Sequence, residues 1–159
     1  MNESERIADQ LRRAFDGQAW HGQSVLELLK DVTAEEAVAR PVSGRHNIWE
    51  IVLHNIVWNV MTSNAVKGEP MKNLTVEEDW PVVKECGEDA WRRTIKNLEE
   101  VKAHLVSSIS EFKDEHLNDT VPGRSYSYYV LFHGLIQHNL YHAGQIAILK
   151  RKRSQVSSI

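Results

Sequence analysis

Gln137-His138-Asn139-Leu140-Tyr141-His142-Ala143-Gly144-Gln145 lies inside the last long apolar segment of the chain, Ser125 to Lys150. Read as a helix, this segment turns His138 and His142 to one face about 5–6 Å apart, close enough to share a metal ion. A third donor on a facing helix would complete a three-ligand site. His54 is the best placed, because it interrupts a second strongly apolar run, Ile51-Val52-Leu53-His54-Asn55-Ile56-Val57-Trp58. Two long helices that both turn histidine inward set the fold reading.

Outward from that segment the patterns are helical throughout. Lys113 to Arg124, with Pro122-Gly123, reads as a loop leading to Ser125 as the N-cap of the final helix, whose basic end Lys150-Arg151-Lys152-Arg153 complements the negative pole of the helix dipole. Upstream, Trp91, Ile95, Leu98, Val101, Leu105, Ile109 and Phe112 recur every three or four residues along a charged sequence, the stripe of a core-facing helix begun by Glu88 and Asp89. Residues 69–86 carry Pro70, Pro81 and several acids without periodicity, so an irregular crossover is expected, unusual enough in length to cover something. Asn47 to Lys67 is apolar nearly all round and is therefore a buried helix, stopped by Gly68 and Pro70. In the first arm, Asn2 with Glu5, Ser24 with Glu27 and Thr33 with Glu36 each resemble a capping box. They predict a helix over about 3–16, a break across Gly17 and Gly22, a second piece from Val25, and a short turn ended by Pro41 and Gly44. Four principal helices, the first broken, with no strand pattern and no repeat, make an all-α bundle.

Composition narrows the function classes. A chain of 159 residues with 42% hydrophobic and 26% charged residues is the size of one domain, residues 1–159, with an ordinary globular composition. A formal net charge of −3 gives no electrostatic reason to expect nucleic acid. The one cysteine, Cys86, cannot form an internal disulfide and fits a reducing compartment; burial at the start of the third helix is the simpler reading for it than a nucleophile's role. Met1-Asn2-Glu3-Ser4-Glu5-Arg6 is acidic and polar where a signal peptide would be basic and then apolar, and histidines and asparagines interrupt both apolar runs. A cytoplasmic, soluble protein with no membrane partner is expected.

A lone histidine on an apolar helix is more often a hydrogen-bonded core residue than a ligand. Burying three unpaired imidazoles costs several kcal/mol, however, and one divalent metal ion would satisfy all three nitrogens. The other histidines read as surface or capping residues: His133 lies about 140° round the helix from His138, His104 and His116 sit in polar surroundings, and His21 and His46 fall in loops. Glu50, one turn before His54, is either an acceptor that orients the free ring nitrogen of His54 or a solvent-facing acid at the helix start, the second being favoured. Trp58, one turn after His54, is the tryptophan best placed to wall a pocket or touch a cofactor. No phosphate loop or Gly-x-Ser-x-Gly elbow occurs, and Asn139 stands where a metalloprotease helix carries glutamate after its first histidine.

Ile48-Trp49-Glu50-Ile51-Val52-Leu53-His54, Gly134-Leu135-Ile136-Gln137-His138-Asn139-Leu140-Tyr141-His142-Ala143-Gly144-Gln145 and, more loosely, Ala19-Trp20-His21-Gly22 with Ser24-Val25-Leu26 resemble the DinB-like (damage-inducible) metalloprotein superfamily. The resemblance implies a four-helix bundle of up-down-down-up connection, with the long crossover between the second and third helices, and a homodimer. It implies that His54, His138 and His142 are the ligands of a divalent metal, zinc, nickel or iron, with positions left open. Relatives include transferases and isomerases that use a low-molecular-weight thiol, namely bacillithiol, mycothiol or glutathione. The expected function is therefore a metal-dependent transferase that activates such a thiol for attack on a small electrophilic substrate, with Tyr141 and Gln145 as hydrogen-bond donors to the leaving group or as packing residues. The alternatives are a metal-dependent hydrolase and a non-catalytic stress protein that binds metal or a small molecule.

Overall fold

Capping chemistry starts most of the helices. Asn2, Ser24, Thr33, Asn47 and Thr75 each accept a backbone N–H of the first turn while Glu5, Glu27, Glu36, Glu50 and Glu78 reach back to the cap, which ties down free amides at both places. The computed structural model describes residues 1–156, with side chains through residue 150. Its helices are α1 Glu3–Asp16, α2 Val25–Leu29, α3 Ala34–Val38, α4 Ile48–Val66, α5 Val76–Asp79, α6 Glu88–Ser110 and α7 Tyr128–Val156. Among the described residues there is no strand, only an isolated bridge between Thr120 and Ser127. The protein is all-α, and none of its described helices is long and apolar enough to cross a membrane.

Four expectations need correction. The final helix starts at Tyr128 rather than after Ser125, because Val121 N–H donates to the Tyr126 carbonyl at 3.0 Å and the 120–127 bridge uses this backbone first. Ser127 supplies the cap instead, its hydroxyl accepting Val130 N–H at 3.4 Å. The crossover is not wholly irregular, since α5 interrupts it. Cys86 is exposed. On α6 the stripe passes through Lys102, 1% exposed, while Val101 is only half-buried. The side chains of Arg151, Lys152 and Arg153 lie outside the described residues.

Two apolar clusters fill the interior. The first gathers α2, α3, Phe15 near the end of α1, the start of α4 (Trp49, Val52), the start of α6 (Trp91) and the later part of α7 (Ile146, Leu149). The second holds Ile7 and Leu11 of α1, Ala65 near the end of α4, Leu105 and Ile109 of α6, and Leu131, Phe132 and Leu135 near the start of α7. Polar residues occupy the level between them: buried Asn55 and Asn59 on α4, Lys102 between Leu98 and Leu105, and Asn139 between Leu135 and Ala143. The interior is therefore layered, apolar above and below a polar level, and that level also carries His54, His138 and His142.

Lys102 is the costliest member of this layer. Its ammonium donates to Asn59 Oδ1 at 3.2 Å and lies 5.2 Å from the centre of the Phe15 ring, with no carboxylate as partner. Burial pushes its pKa down to about 7, far below the ordinary lysine value. A base whose folded pKa is depressed destabilises the fold wherever the unfolded chain holds its proton and the folded chain must also hold it or lose it. Stability from this group therefore rises as pH climbs from about 7 towards 10. Relative to Lys102→Met, the wild type should gain a few kcal/mol across that interval, read as diverging urea midpoints. Parallel pH profiles for the two proteins would show that the ammonium is solvated in the folded chain.

Candidate metal centre

His54 comes from the middle of α4, while His138 and His142 come from successive turns of α7, which packs against α4. His54 and His142 are buried and His138 is half-buried. Their Nε2 atoms converge: His138 Nε2 is 2.9 Å from that of His54 and 3.2 Å from that of His142. Three imidazole nitrogens meeting at such distances are the donor set for a transition-metal ion.

The outer nitrogens decide what the inner ones present. His54 Nδ1 lies 2.7 Å from the Asp79 carbonyl and 3.1 Å from its carboxylate, both of which can only accept, so Nδ1 carries the proton. His142 Nδ1 donates in the same way to Gln145 Oε1 at 2.7 Å. Both rings therefore turn an unprotonated Nε2 inward. His138 Nδ1 is buried with no partner. A proton on His138 Nε2 could face only one of its two neighbours at a time, whereas a metal ion accepts all three lone pairs. Burial pushes His138 down to about 3, helped by the His142 and His54 rings and by Lys102. His54 and His142 are also lowered, first by burial, against the opposing effect of Asp79 and Gln145. Neutral imidazole is the form that binds metal.

The crossover covers one side of this cluster. The last carbonyls of any helix lack internal partners, and the four-residue α5 offers that of Asp79 to His54. The Asp79 carboxylate also accepts Trp58 Nε1–H at 2.8 Å. Trp80, the next residue, stacks on His54 with centroids 3.9 Å apart and on His46 at 3.6 Å, so the indole is sandwiched between two imidazoles. The strap is pinned at its start: Met71 N–H donates to the Pro122 carbonyl at 2.9 Å, and Arg124 bonds the Lys72 carbonyl and Asn73. Gly123 makes that approach feasible, because at φ +78° a Cβ there would stand 2.8 Å from the Met71 carbonyl oxygen.

Comparison with known proteins agrees with this geometry. The model of the DinB superfamily matches residues 19–146. The chain belongs to the DinB superfamily. No curated protein and no solved structure matches it. In this DinB protein His54, His138 and His142 are brought together, and Trp58 stands beside them with its ring 5.8 Å from that of His138. Gln145 touches the cluster through His142, whereas Tyr141 is 67% exposed, its ring 5.2 Å from that of His142. Glu50 is not the acceptor for His54; it caps Asn47 and binds Arg40 and His46. His46, expected as a loop residue, stacks into the strap, while His21, His104 and His116 are exposed. Sequence reading missed Asp79 and Trp80, although the Thr75-x-x-Glu78 signature could have placed a helix start just before them.

Replacing His54, His138 or His142 by Ala should each lower bound metal from about one ion per chain towards zero by elemental analysis, with His133→Ala and His104→Ala unaffected. Asp79→Ala, which removes the carboxylate 3.1 Å from His54 Nδ1 but keeps the main-chain carbonyl at 2.7 Å, should weaken metal binding by less than about tenfold while leaving the ligands in place. The metal-free protein should also lose stability as pH falls below about 6.5. The three rings are lowered in the folded chain, so the unfolded chain binds protons first and acid favours it. Thermal melts from pH 7 to 4 should show a steeper loss for the wild type than for His138→Gln.

Proposed function

We propose that this DinB protein binds one divalent metal ion, zinc, nickel or iron, through His54, His138 and His142, and uses it to transfer a low-molecular-weight thiol to an electrophile. The observation that carries the proposal is the convergence of three Nε2 atoms, two with their Nδ1 protons committed elsewhere. Three protein donors are fewer than such ions accept, which leaves room for an exchangeable ligand. When bound, the ion supplies a Lewis acid whose charge favours a thiolate over a thiol. The balanced reaction is R–SH + R′–X → R–S–R′ + HX: the sulfur pair forms the new S–C bond, the leaving group takes the C–X pair, and the thiol proton leaves with it.

The chain's own residues then have distinct tasks. Asp79 and Gln145 are positioning residues, holding the His54 and His142 rings by their Nδ1 atoms. Gln145 meets His142 through Oε1 and keeps its amide N–H donors, so it and the exposed Tyr141 hydroxyl are the proposed hydrogen-bond donors to the leaving group. Trp58 and Trp80 keep water from the buried sides of the cluster. We also propose that residues 1–159 form one domain with up-down-down-up connection. Support comes from the two clusters: α1 and α7 begin in the second and end in the first, while α4 and α6 run the other way. The proposal includes a cytoplasmic homodimer, for which Val130, Tyr141 and Ile148 offer exposed apolar surface on α7.

Metal-loaded protein should accelerate conjugation of bacillithiol, mycothiol or glutathione to monobromobimane above the uncatalysed rate, and His138→Ala should lose the gain. Cobalt-substituted protein should acquire a sulfur charge-transfer band on adding the same thiol. Absence of both with all three thiols sinks the transferase and turns attention to a hydrolytic or purely binding role, which ester, amide and lactone substrates would separate.

A further inference from the structure

Beside the histidine cluster lies a cleft of about 230 Å³ that reaches His138. Its walls are Trp58, Tyr126, Val130, Leu131 and Leu135, and no Lys, Arg, Asp or Glu lines it. The polar atoms of its other lining side chains are largely spent. Trp58 Nε1–H is given to Asp79, and the Thr62 hydroxyl donates to the Trp58 carbonyl at 2.8 Å. What remains, besides the Tyr126 side chain with its hydroxyl, is apolar surface leading to one imidazole. The larger clefts between α2 and α6 and between α1 and α6 are lined by charged residues and touch none of the three histidines.

Gly134 keeps this cleft open. It sits inside α7, where glycine costs about 1 kcal/mol relative to alanine, yet a Cβ there would meet nothing within 4 Å. The helix therefore carries a destabilising residue where a side chain would project into the cleft. Gly144, on the same helix, also has open space around its Cβ position but does not line the cleft, which makes it a matched control.

We propose that this cleft seats an uncharged apolar group of the electrophile, a phenyl ring or a short alkyl chain, and so selects the substrates of the transfer reaction. Size supports the class: an apolar cavity of roughly 150 Å³ holds benzene, whereas drug-sized ligands need about 300 Å³ or more. Charge supports it too, because a carboxylate or ammonium entering these walls would lose its hydration and find no charged side chain of the opposite sign. The naming of the occupant as part of an electrophile rests on the transferase reading; the apolar specificity of the cleft does not.

The test separates the two. Benzyl alcohol, which is unreactive, is titrated into metal-free and metal-loaded protein and followed through the Trp58 indole resonance. Wild type should bind it saturably in both forms, and in the metal-free form benzoate and benzylammonium should bind at least tenfold more weakly. Gly134→Leu should weaken binding at least tenfold while retaining bound metal and melting temperature, and Gly144→Leu should bind as the wild type does. Thr62→Phe fills the cleft from the facing α4 wall and repeats the test if Gly134→Leu fails to fold. In conjugation assays Gly134→Leu should raise KM for benzyl bromide at least tenfold and leave iodoacetamide, which has no apolar group, unchanged. Equal benzyl alcohol binding by wild type and the filled variants, or equal binding of the charged analogues to metal-free protein, overturns the assignment. Saturable, Gly134-dependent binding without conjugation of any thiol leaves the cleft assignment standing and removes the transferase; conjugation of benzyl bromide with unchanged KM in Gly134→Leu does the reverse.

Discussion

Three imidazole Nε2 atoms meeting in the interior, that of His138 within 3.2 Å of both others, are the constraint on which the rest of this molecule turns. Without a cation such an arrangement is repulsive and has lost its water, so something must hold the rings in place. The holding is done by ordinary structure. Helical spacing of four residues sets His138 against His142, packing of α4 on α7 brings in His54, and oxygen acceptors on the far side of two rings prevent them from turning over. Each device is weak alone, worth about a kcal/mol for a typical hydrogen bond, but they act on the same rigid pair of helices.

The polar level between the apolar clusters is a cost to the fold. Asn55, Asn59 and Asn139 carry buried side-chain atoms with no protein partner, and Lys102 lacks a counter-charge. A bundle optimised for stability would put leucine at these positions, and such substitutions are commonly stabilising. Grouping the buried asparagines of α4 and α7 and the buried lysine of α6 at the level of the histidines ties the cost to the site. The apolar clusters on either side carry the compensation.

Much of this was legible beforehand. Periodicity and capping signals placed α1, α4 and α6 almost to the residue, because those helices combine apolar spacing with a cap or an acidic first turn. The histidine trio was legible for a related reason: imidazole on a nearly all-apolar helix has few explanations. Long-range partners carry no such local signal. Asp79, 25 residues from His54 in sequence, contributes its main-chain carbonyl, for which any residue type would serve, and Trp80 finds His46 and His54 only after the strap has folded. Ser125 misled because two nearby serines, Ser125 and Ser127, can each cap, and tertiary pairing at residues 120–127 chose between them. Lys102 was readable in principle, since it stands four residues after Leu98 and three before Leu105, but charge argued against burial.

The asymmetry among the three rings carries the functional logic furthest. His54 is gripped by hydrogen bonds to Asp79 and by a face-to-face indole, and His142 is gripped by Gln145. His138 has neither, is the least buried of the three, and is the one that the apolar cleft reaches. Two fixed donors and one less constrained donor let a site keep its ion while its geometry adjusts on the open side. The rigid side is the one covered by the crossover; the less constrained side faces the apolar cleft. Precision and access are thus assigned to different histidines, and the long strap between α4 and α6 is what divides them.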